Sequence, residues 1–473
     1  MGGATMPYTS RGGQAMTAAP LSRPLAITGA TLIDGTGAPP LPEATVVIED
    51  GRFSRVGPTA TTPVPDGAEV IDGHGRFLIP GLVDMHVHIG PPQDEHLPLF
   101  LAAGVTTVMD LGGQVADLQR YRAAIASGTR IGPRLYFTGP LLEEAEPYAG
   151  FAHMSHRFDP AHVEEEVDRL ANAGVDGIKL YVTVRPETAR RAAARAHARG
   201  LPVFMHQQAT WGAQAAEAGV DCLEHLMVLG DLAPEDQRPA DPGRMTPFEY
   251  GGWMWRWLPD IDPHGPRVRQ LLERLLAAGT ALDPTLVLFA SRPGALGDDV
   301  GDTTMDNPET TPLLPLLPAG VAQQLVSRWA ERRQAAAGAS ERARERTRRA
   351  WATLLAIVGE FHRMGGTVLA GTDCPNVAIV SGFSLHRELE LLVRAGLSPL
   401  EAIRAATRRP AEVLRKTDVF GAVVPGLAAD LLILGANPLD DIRHTRRIER
   451  VVARGRVYRP EDILAALQTE RTA

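Results

Sequence analysis

The chain has 473 residues, 44% of them hydrophobic, which is enough to bury a large core and to build two domains. Its formal net charge of -8 gives no electrostatic attraction to nucleic acid or to an anionic membrane, so we expect neither as a partner. The 2 cysteines are too few for a disulfide framework or a thiolate zinc cluster.

The two ends of the chain differ in pattern from its middle. Residues 1–24 are rich in Gly, Ala, Ser, Thr and Pro and contain no apolar stretch of signal-peptide length, so we expect a flexible N-terminal tail and a cytoplasmic protein. Residues 25–79 alternate short β-rich pieces with Gly, Pro and Asp turns, and residues 416–460 are β-rich again. These two segments are predicted to pair into one small β-sandwich domain.

Residues 80–415 alternate short apolar runs with segments of helical length, which is typical of a parallel sheet built from βα units. The fold class predicted is therefore α/β, a (β/α)8 TIM-like barrel with insertions at 228–266 and 290–350, beside the β-sandwich. The eight candidate barrel strands are 82–88, 105–110, 134–138, 176–181, 202–206, 221–225, 280–285 and 367–373.

Candidate metal ligands stand at the ends of these predicted strands, which is where (β/α)8 barrels place their catalytic groups. The first strand ends in His86 and His88, whose side chains share one face because they are two residues apart. His206, His225 and Asp373 end the fifth, sixth and eighth strands. Imidazole nitrogens and carboxylate oxygens suit zinc or a similar divalent ion.

Lys179 is one of only two lysines in the chain, and it lies in the apolar run of the fourth strand. Arginine would meet any need for simple positive charge, whereas a buried lysine can become a neutral nucleophile. A neutral amine either forms a Schiff base with a carbonyl substrate or attacks carbon dioxide to give a carbamate that bridges metal ions. The four histidines favour the carbamate, which completes a set of six ligands for two ions.

Several motifs carry a resemblance to a known family: Pro80-Gly-Leu-Val-Asp-Met-His-Val-His88, His386-Arg-Glu-Leu-Glu390, Ala402-Ile-Arg-Ala-Ala-Thr407 and Gly426-Leu-Ala-Ala-Asp-Leu431. With them the sequence resembles the amidohydrolase superfamily, in the branch of imidazolonepropionase-like proteins and lysine-carbamate prolidases. The resemblance implies two zinc ions. His86, His88 and Asp373 would hold the more buried ion, His206 and His225 the more exposed one, and N6-carboxylated Lys179 would bridge them.

The expected reaction is hydrolysis of an amide C–N bond in a small molecule, such as an N-acyl amino acid, a dipeptide or a cyclic amide, by a hydroxide that bridges the two ions. Asp373 is the candidate general base and acid. Alternatives are decarboxylation, dehydration or isomerisation at the same metals, a catalytically silent scaffold, and Schiff-base chemistry at Lys179. As in relatives, we expect a homo-oligomer.

Substrate contacts are predicted from position alone. Tyr181 shares the strand face of Lys179, and Gln208 stands where many relatives have Tyr or His. His153 lies in the loop after the third strand. The first insertion carries alternating tryptophans that either line an apolar substrate pocket or pack the insertion against the barrel: Trp253, Trp255 and Trp257.

Overall fold

The computed structural model describes residues 23–90, 93–290, 311–317, 319–376 and 379–472. The tail predicted over residues 1–24 falls outside these ranges except for its last two residues, and the second insertion is described only in part. In the described residues the strands are β1 Leu25–Leu32, β2 Leu41–Glu49, β3 Arg52–Pro58, β4 Glu69–Asp72, β5 Phe77–Pro80, β6 Leu82–Val87, β7 Val105–Asp110, β8 Arg134–Phe137, β9 Leu141–Glu143, β10 Ser155–Arg157, β11 Ile178–Leu180, β12 Val203–Met205, β13 Cys222–Glu224, β14 Ala281–Asp283, β15 Leu431–Leu434, β16 Ile448–Ala453 and β17 Arg456–Tyr458.

Strands from both ends of the chain share one sheet, in the order β17-β16-β15-β5-β1-β2-β3, with β4 also paired to β1. The link between the two ends is the antiparallel pairing of β5 with β15, in which Leu78 lies opposite Ile433. Apolar side chains from both segments, including Leu25, Val46 and Leu431, pack into one cluster. The boundaries of this domain at residues 79 and 416 stay predictions.

The barrel strands form two parallel sheets in the described residues. One contains β6, β7 and β8, and the other runs β10-β9-β11-β12-β13-β14. Strand β8 corresponds to the predicted third strand, 134–138, and belongs to the first sheet. Strand β9, which follows after residues 138–140, was not predicted and belongs to the second sheet. The parallel order along the chain agrees with the predicted βα pattern.

The predicted eighth strand, 367–373, is not a regular strand, which corrects that expectation. It joins the neighbouring strands through isolated parallel bridges, Leu282 with Val368 and Val87 with Cys374. The physical reason is that the buried carboxylate of Asp84 replaces part of the ladder, since it accepts hydrogen bonds from the backbone N (3.0 Å) and the hydroxyl (2.6 Å) of Thr372. The segment still lies between the first and the seventh barrel strands.

Helices follow most of the barrel strands, as expected for βα units. They are α1 Leu97–Ala102, α2 Val115–Ser127, α3 Val163–Asn172, α4 Pro186–Ala198, α5 Gly212–Glu217, α6 Pro247–Trp257, α7 Pro266–Ala278, α8 Leu286–Ala290, α9 Ala319–Ala337, α10 Glu341–Arg363, α11 Phe383–Arg394, α12 Pro399–Ala405, α13 Arg408–Val413 and α14 Pro460–Thr472. Among the helices of the described ranges, none is both long and apolar enough to cross a membrane.

The first insertion, expected as a loop, is largely helical. Its main element, α6, begins at a capping box in which the Thr246 hydroxyl accepts from the Glu249 N–H and the Glu249 carboxylate accepts from the Thr246 N–H. Pro247 at the first helical position supports the same start. Short 3-10 turns surround α6: Met227–Leu232, Glu235–Gln237, Pro242–Arg244 and Leu258–Asp260.

A test of the packing concerns Gly359 in α10. A Cβ there would lie 1.9 Å from the carbonyl oxygen of Ala395 at the end of α11. We predict that Gly359→Ala lowers the free energy of unfolding by about 1–3 kcal/mol, because one of the two helices must shift. Chemical denaturation would measure this change.

The control is Gly252 in α6, where an added Cβ would meet nothing within 4 Å. Gly252→Ala should leave stability unchanged or raise it by up to about 1 kcal/mol, because alanine has the higher helix propensity. Equal effects of the two substitutions would contradict the packing of α10 against α11.

Candidate metal centre

The end of β6 and the segment after residue 372 bring three candidate ligands together. His86 and His88 direct their Nε2 atoms at the same oxygen, Oδ1 of Asp373, at 3.6 Å and 3.1 Å. The three residues offer ligand atoms that all lie within 4.8 Å of one another, which is a spacing that one metal ion can bridge. The structure therefore groups the set predicted for the more buried ion.

The other two histidines continue this group. The ring of His225 lies 4.8 Å from that of His86 and 4.9 Å from that of His206, measured between ring centroids. His206 is buried, and neither of its ring nitrogens has a hydrogen-bond partner among the described residues. A buried imidazole without partners is costly, and a metal ion would satisfy it.

Backbone strain concentrates at this end of the barrel. His225, Thr285 and Asp373 adopt positive φ angles of 59°, 43° and 61°. Residues other than glycine rarely occupy this left-handed region, and it is found where the surrounding structure and function require it. Two of these residues are joined by a hydrogen bond of 2.8 Å between Nδ1 of His225 and the Thr285 hydroxyl, which fixes the imidazole orientation.

Lys179 lies close enough to the histidines for its charge to lower the pKa of His86, His206 and His225. The side chain is buried, and its Nζ has no hydrogen-bond partner in the part of the chain that the structure describes. Burial lowers the pKa of the amine, although the charges of nearby acids, first among them Glu224, act in the opposite direction. A lowered pKa favours the neutral amine, which is the form that attacks carbon dioxide.

The protonation states of three of the histidines and of Asp373 also suit metal binding. Burial lowers the pKa of His86, His206 and His225 well below its ordinary value, so these rings are neutral. For His88 burial acts against the charge, but the hydrogen bond with Asp373 and the charges of Asp373 and Asp110 together outweigh it and raise the pKa. Burial would raise the pKa of Asp373, yet its hydrogen bonds with His88 and Asn376 and the charge of His88 lower it. Neutral imidazoles and an ionised carboxylate are the ligand forms.

Four acidic side chains that the sequence analysis did not select lie buried in the same region: Asp84, Glu224, Asp283 and Glu388. Burial raises the pKa of Asp84 and of Glu224 to about 7, and that of Glu388 to about 8. Burial also raises the pKa of Asp283, and the other three acids raise it further. Both Asp283 oxygens lack a hydrogen-bond partner among the described residues. Divalent cations would keep such acids ionised, so the donor set fits a metal centre.

Glu224 has a defined partner in the site. Its Oε2 lies 2.6 Å from Nδ1 of His86, so the imidazole N–H donates to the carboxylate. His86, Glu224 and Asp283 form a second group within 4.8 Å, and Glu224 approaches His86 at Nδ1. We assign Nε2 to the metal and Nδ1 to Glu224, because a carboxylate behind a metal-binding histidine fixes its tautomer and ring orientation.

The sequence contained a signal for two of these acids. Glu224 directly precedes His225, and Asp283 is the last residue of β14. The rule that ligands stand at strand ends would have selected both residues. The sequence analysis selected mainly histidines and therefore did not include these two acids.

The residues predicted to contact substrate differ in their distance from the candidate ligands and in their own contacts. Tyr181 lies in the site, with its ring centroid 4.9 Å from that of His206. Gln208 is buried, and its Nε2 donates to the carbonyl oxygens of Pro242 (2.7 Å) and Met245 (2.6 Å), which anchors the first insertion. The Gln208 Oε1 has no hydrogen-bond partner among the described residues.

The three tryptophans of α6 are at most 9% exposed: Trp253, Trp255 and Trp257. The Trp253 indole N–H donates to the carbonyl oxygen of Gln237, and its ring centroid lies 5.4 Å from that of Trp257. This arrangement corresponds to the packing alternative, in which the tryptophans hold the insertion together. His153 is exposed in the loop between β9 and β10, and its carbonyl oxygen accepts from Gln114.

A prediction follows for Glu224. We expect Glu224→Gln to weaken zinc binding about 10-fold to 100-fold, because the amide holds the His86 N–H less strongly than the carboxylate does. Competition for zinc with a chelator of known affinity would measure the change.

Glu143→Gln is the matched control, since Glu143 is also a buried glutamate at a strand end but accepts from the backbone N–H of Thr183 instead. It should keep the zinc affinity of the parent. Unchanged zinc affinity in Glu224→Gln would contradict the assignment of Nδ1 to Glu224.

Comparison with known proteins places this site in a family. The sequence profile of the amidohydrolase family matches residues 77–237 and 331–458, which is more than half of the chain and includes all six candidate ligands. Members of this family generally use divalent metal ions, and the His and Asp groups described above are candidates to hold them.

Individual relatives agree. An imidazolonepropionase of Idiomarina loihiensis is 35% identical over 92 residues, which is 19% of this chain and 22% of that protein. The imidazolonepropionase of Caulobacter vibrioides is 25% identical over 426 residues, covering 74% of this chain and 90% of its own. A solved structure of a Bifidobacterium longum protein assigned as a prolidase matches with a TM-score of 0.65 and 27% identity, over 96% of this chain and 100% of the other.

These matches confirm the predicted fold class, an α/β barrel with an extra domain, although the described strands do not form one continuous closed sheet. The chain belongs to the amidohydrolase family and is a hydrolase that acts on carbon–nitrogen bonds.

Proposed function

We propose that this chain is a metal-dependent amidohydrolase that cleaves the amide bond of a small molecule, namely an N-acyl amino acid, a dipeptide or a cyclic amide. The observation that carries the proposal is the convergence of four histidines and Asp373 around the buried, unpartnered amine of Lys179. A catalytically silent scaffold has no use for such groups, because each buried polar atom without a partner destabilises the fold.

The metals that we propose are two zinc ions. His86, His88 and Asp373 would hold one ion, His206 and His225 the other, and Lys179 carboxylated by carbon dioxide would bind both. When bound, such ions make water a stronger acid and polarise a substrate carbonyl. A cytoplasmic location and a homo-oligomeric state stay predictions from the sequence.

Asp373 is proposed to move the proton. Its carboxylate is ionised, with Oδ1 facing the two strand-one histidines and Oδ2 accepting a hydrogen bond of 2.9 Å from the Asn376 side chain. An ionised carboxylate held from both sides can take a proton from the attacking water and deliver it to the leaving nitrogen.

Tyr181 is proposed to orient the substrate. Burial raises the pKa of its hydroxyl well above the ordinary value, and the charges of Asp373 and Glu143 raise it further. The hydroxyl therefore stays protonated and can donate a hydrogen bond to a substrate carbonyl or carboxylate. Its place next to His206 puts that hydrogen bond beside the reacting amide.

The first test concerns the carbamate. Elemental mass spectrometry on protein purified with bicarbonate and zinc should find about two ions per chain in the parent. Lys179→Ala should lose most of this metal, because the bridging ligand is gone.

Lys416→Ala is the matched control, since Lys416 is the only other lysine of the chain and lies outside the site. It should bind metal like the parent. A parent that holds essentially no metal, or a Lys179→Ala variant with full metal content, would contradict the bridged site.

The second test concerns the proton transfer. Asp373→Asn should lower kcat by about 10²-fold to 10⁴-fold, because the amide cannot accept the proton. The assay would use the best substrate found in a library of dipeptides and N-acyl amino acids, and metal content would be measured on the same sample. Unchanged turnover at full metal content would rule out Asp373 as the general base.

A further inference from the structure

A line of aromatic rings connects solvent to the candidate metal centre. Phe248 forms the outer end of this line and is 59% exposed, and its ring centroid lies 6.0 Å from that of Phe151. Phe151 lies 6.3 Å from Tyr181, whose ring lies 4.9 Å from that of His206. Tyr148, which is 37% exposed, contacts both Phe151 (5.4 Å) and Phe248 (6.0 Å). We call these four residues the aromatic wall: Tyr148, Phe151, Tyr181 and Phe248.

The wall is assembled from three separate segments of the chain. Tyr148 and Phe151 come from the connection between β9 and β10, Tyr181 follows β11, and Phe248 stands in the first turn of α6 after β13. All three segments leave the C-terminal ends of barrel strands, and the candidate ligand histidines lie at the same end of the barrel. Their convergence is therefore a property of the site and not of one amphipathic element.

The wall is separate from the main core of the protein. Tyr181 belongs to a small cluster with Leu141 and Val182, against which Phe151 packs partly buried. The two outer rings, Tyr148 and Phe248, are among the most exposed large hydrophobic side chains of the described residues. Exposed aromatic side chains that adjoin a polar cleft are typical of ligand-binding surfaces.

Hydrogen bonds hold the segments of the wall in place. The Thr183 hydroxyl accepts from the backbone N–H groups of Glu144 (3.0 Å) and Ala145 (3.2 Å), which ties the connection after β9 to the segment after β11. The Arg185 guanidinium binds the Asp241 carboxylate at 2.8 Å, which ties that segment to the first insertion. A wall built before the ligand arrives loses little entropy on binding.

We propose that the aromatic wall is the subsite that determines specificity and that it binds an aromatic or similarly flat apolar substituent next to the scissile amide. This inference rests on the proposed function and adds the substrate class. The rings already meet edge to face, with interplanar angles of 75°, 74° and 80°. A substrate ring can join them in the same favourable geometry.

The test uses two zinc-chelating probes that differ only in a phenyl group, phenylacetohydroxamic acid and acetohydroxamic acid, with calorimetry on the zinc-loaded full chain. The parent should bind the phenyl probe at least about tenfold more tightly, as expected for burial of one ring. Phe248→Ala should reduce this preference about fivefold through loss of a ring contact. Phe248→Tyr should keep it, because the ring remains.

Val70→Ala is the control, since Val70 in β4 is 55% exposed and lies in the sheet of the chain ends. It should leave the preference unchanged. A parent without phenyl preference, including one that binds neither probe, would overturn the inference, as would an unchanged preference in Phe248→Ala.

A turnover assay separates this inference from the proposed function. The matched substrates are N-acetylphenylalanine and N-acetylalanine. A phenyl preference in binding without hydrolysis of either amide would support the wall and contradict the proposed function for this substrate class. Hydrolysis of both amides with equal kcat/KM, together with equal binding of the two probes, would support the function and overturn the wall.

Discussion

The balance of buried charge is the constraint on which the site depends. Several acids, including Asp84, Glu224 and Asp283, lie buried near one buried amine, Lys179. Burial raises the pKa of the Asp283 carboxyl, and repulsion from the neighbouring acids raises it further. Carboxylation of Lys179, as proposed, would add a further anion to this region. Without divalent cations this change would make the imbalance worse. We therefore expect the proposed carbamate and the proposed metal ions to stabilise each other.

Near residue 373 the candidate ligands are held by side-chain hydrogen bonds and not by the regular backbone hydrogen bonds of a β-strand. Asp84 ties the first barrel strand to Thr372, and the positive φ of Asp373 turns its carboxylate toward the histidines. Gly371 allows this close approach, because a Cβ there would lie 2.1 Å from Oδ2 of Asp283.

The sequence analysis could select those candidate ligands that are marked by the residues immediately around them. Each ligand histidine ends a short apolar run, so the period of the strand and the rule for barrel ends were enough to select it. The irregular eighth segment was not predictable, because a side chain of the first barrel strand, Asp84, replaces the backbone partner of the Thr372 N–H. That replacement depends on a contact across about 290 residues of chain.

The sequence analysis left the role of the first insertion open, although a signal for its helix was present. Thr246 and Glu249 form a capping box around Pro247, which indicates a helix start, and in a helix Trp253 and Trp257 share one face. That face is buried, which leaves Phe248 in the first turn to face outward. The aromatic wall itself was not predictable, because its rings come from three segments that no periodicity connects.

The proposed metal ligands and the proposed specificity subsite lie on different parts of the fold, and Gln208 connects them. The candidate ligands stand at strand ends, whereas most of the aromatic wall stands on connections that tolerate substitution. Gln208 follows the ligand His206 by two residues and fixes Pro242 and Met245, just before α6 begins. One buried amide therefore links the position of Phe248 to the candidate metal centre. We expect substitutions in the wall to leave the candidate ligands in place, and a substitution of Gln208 to shift Phe248 relative to them.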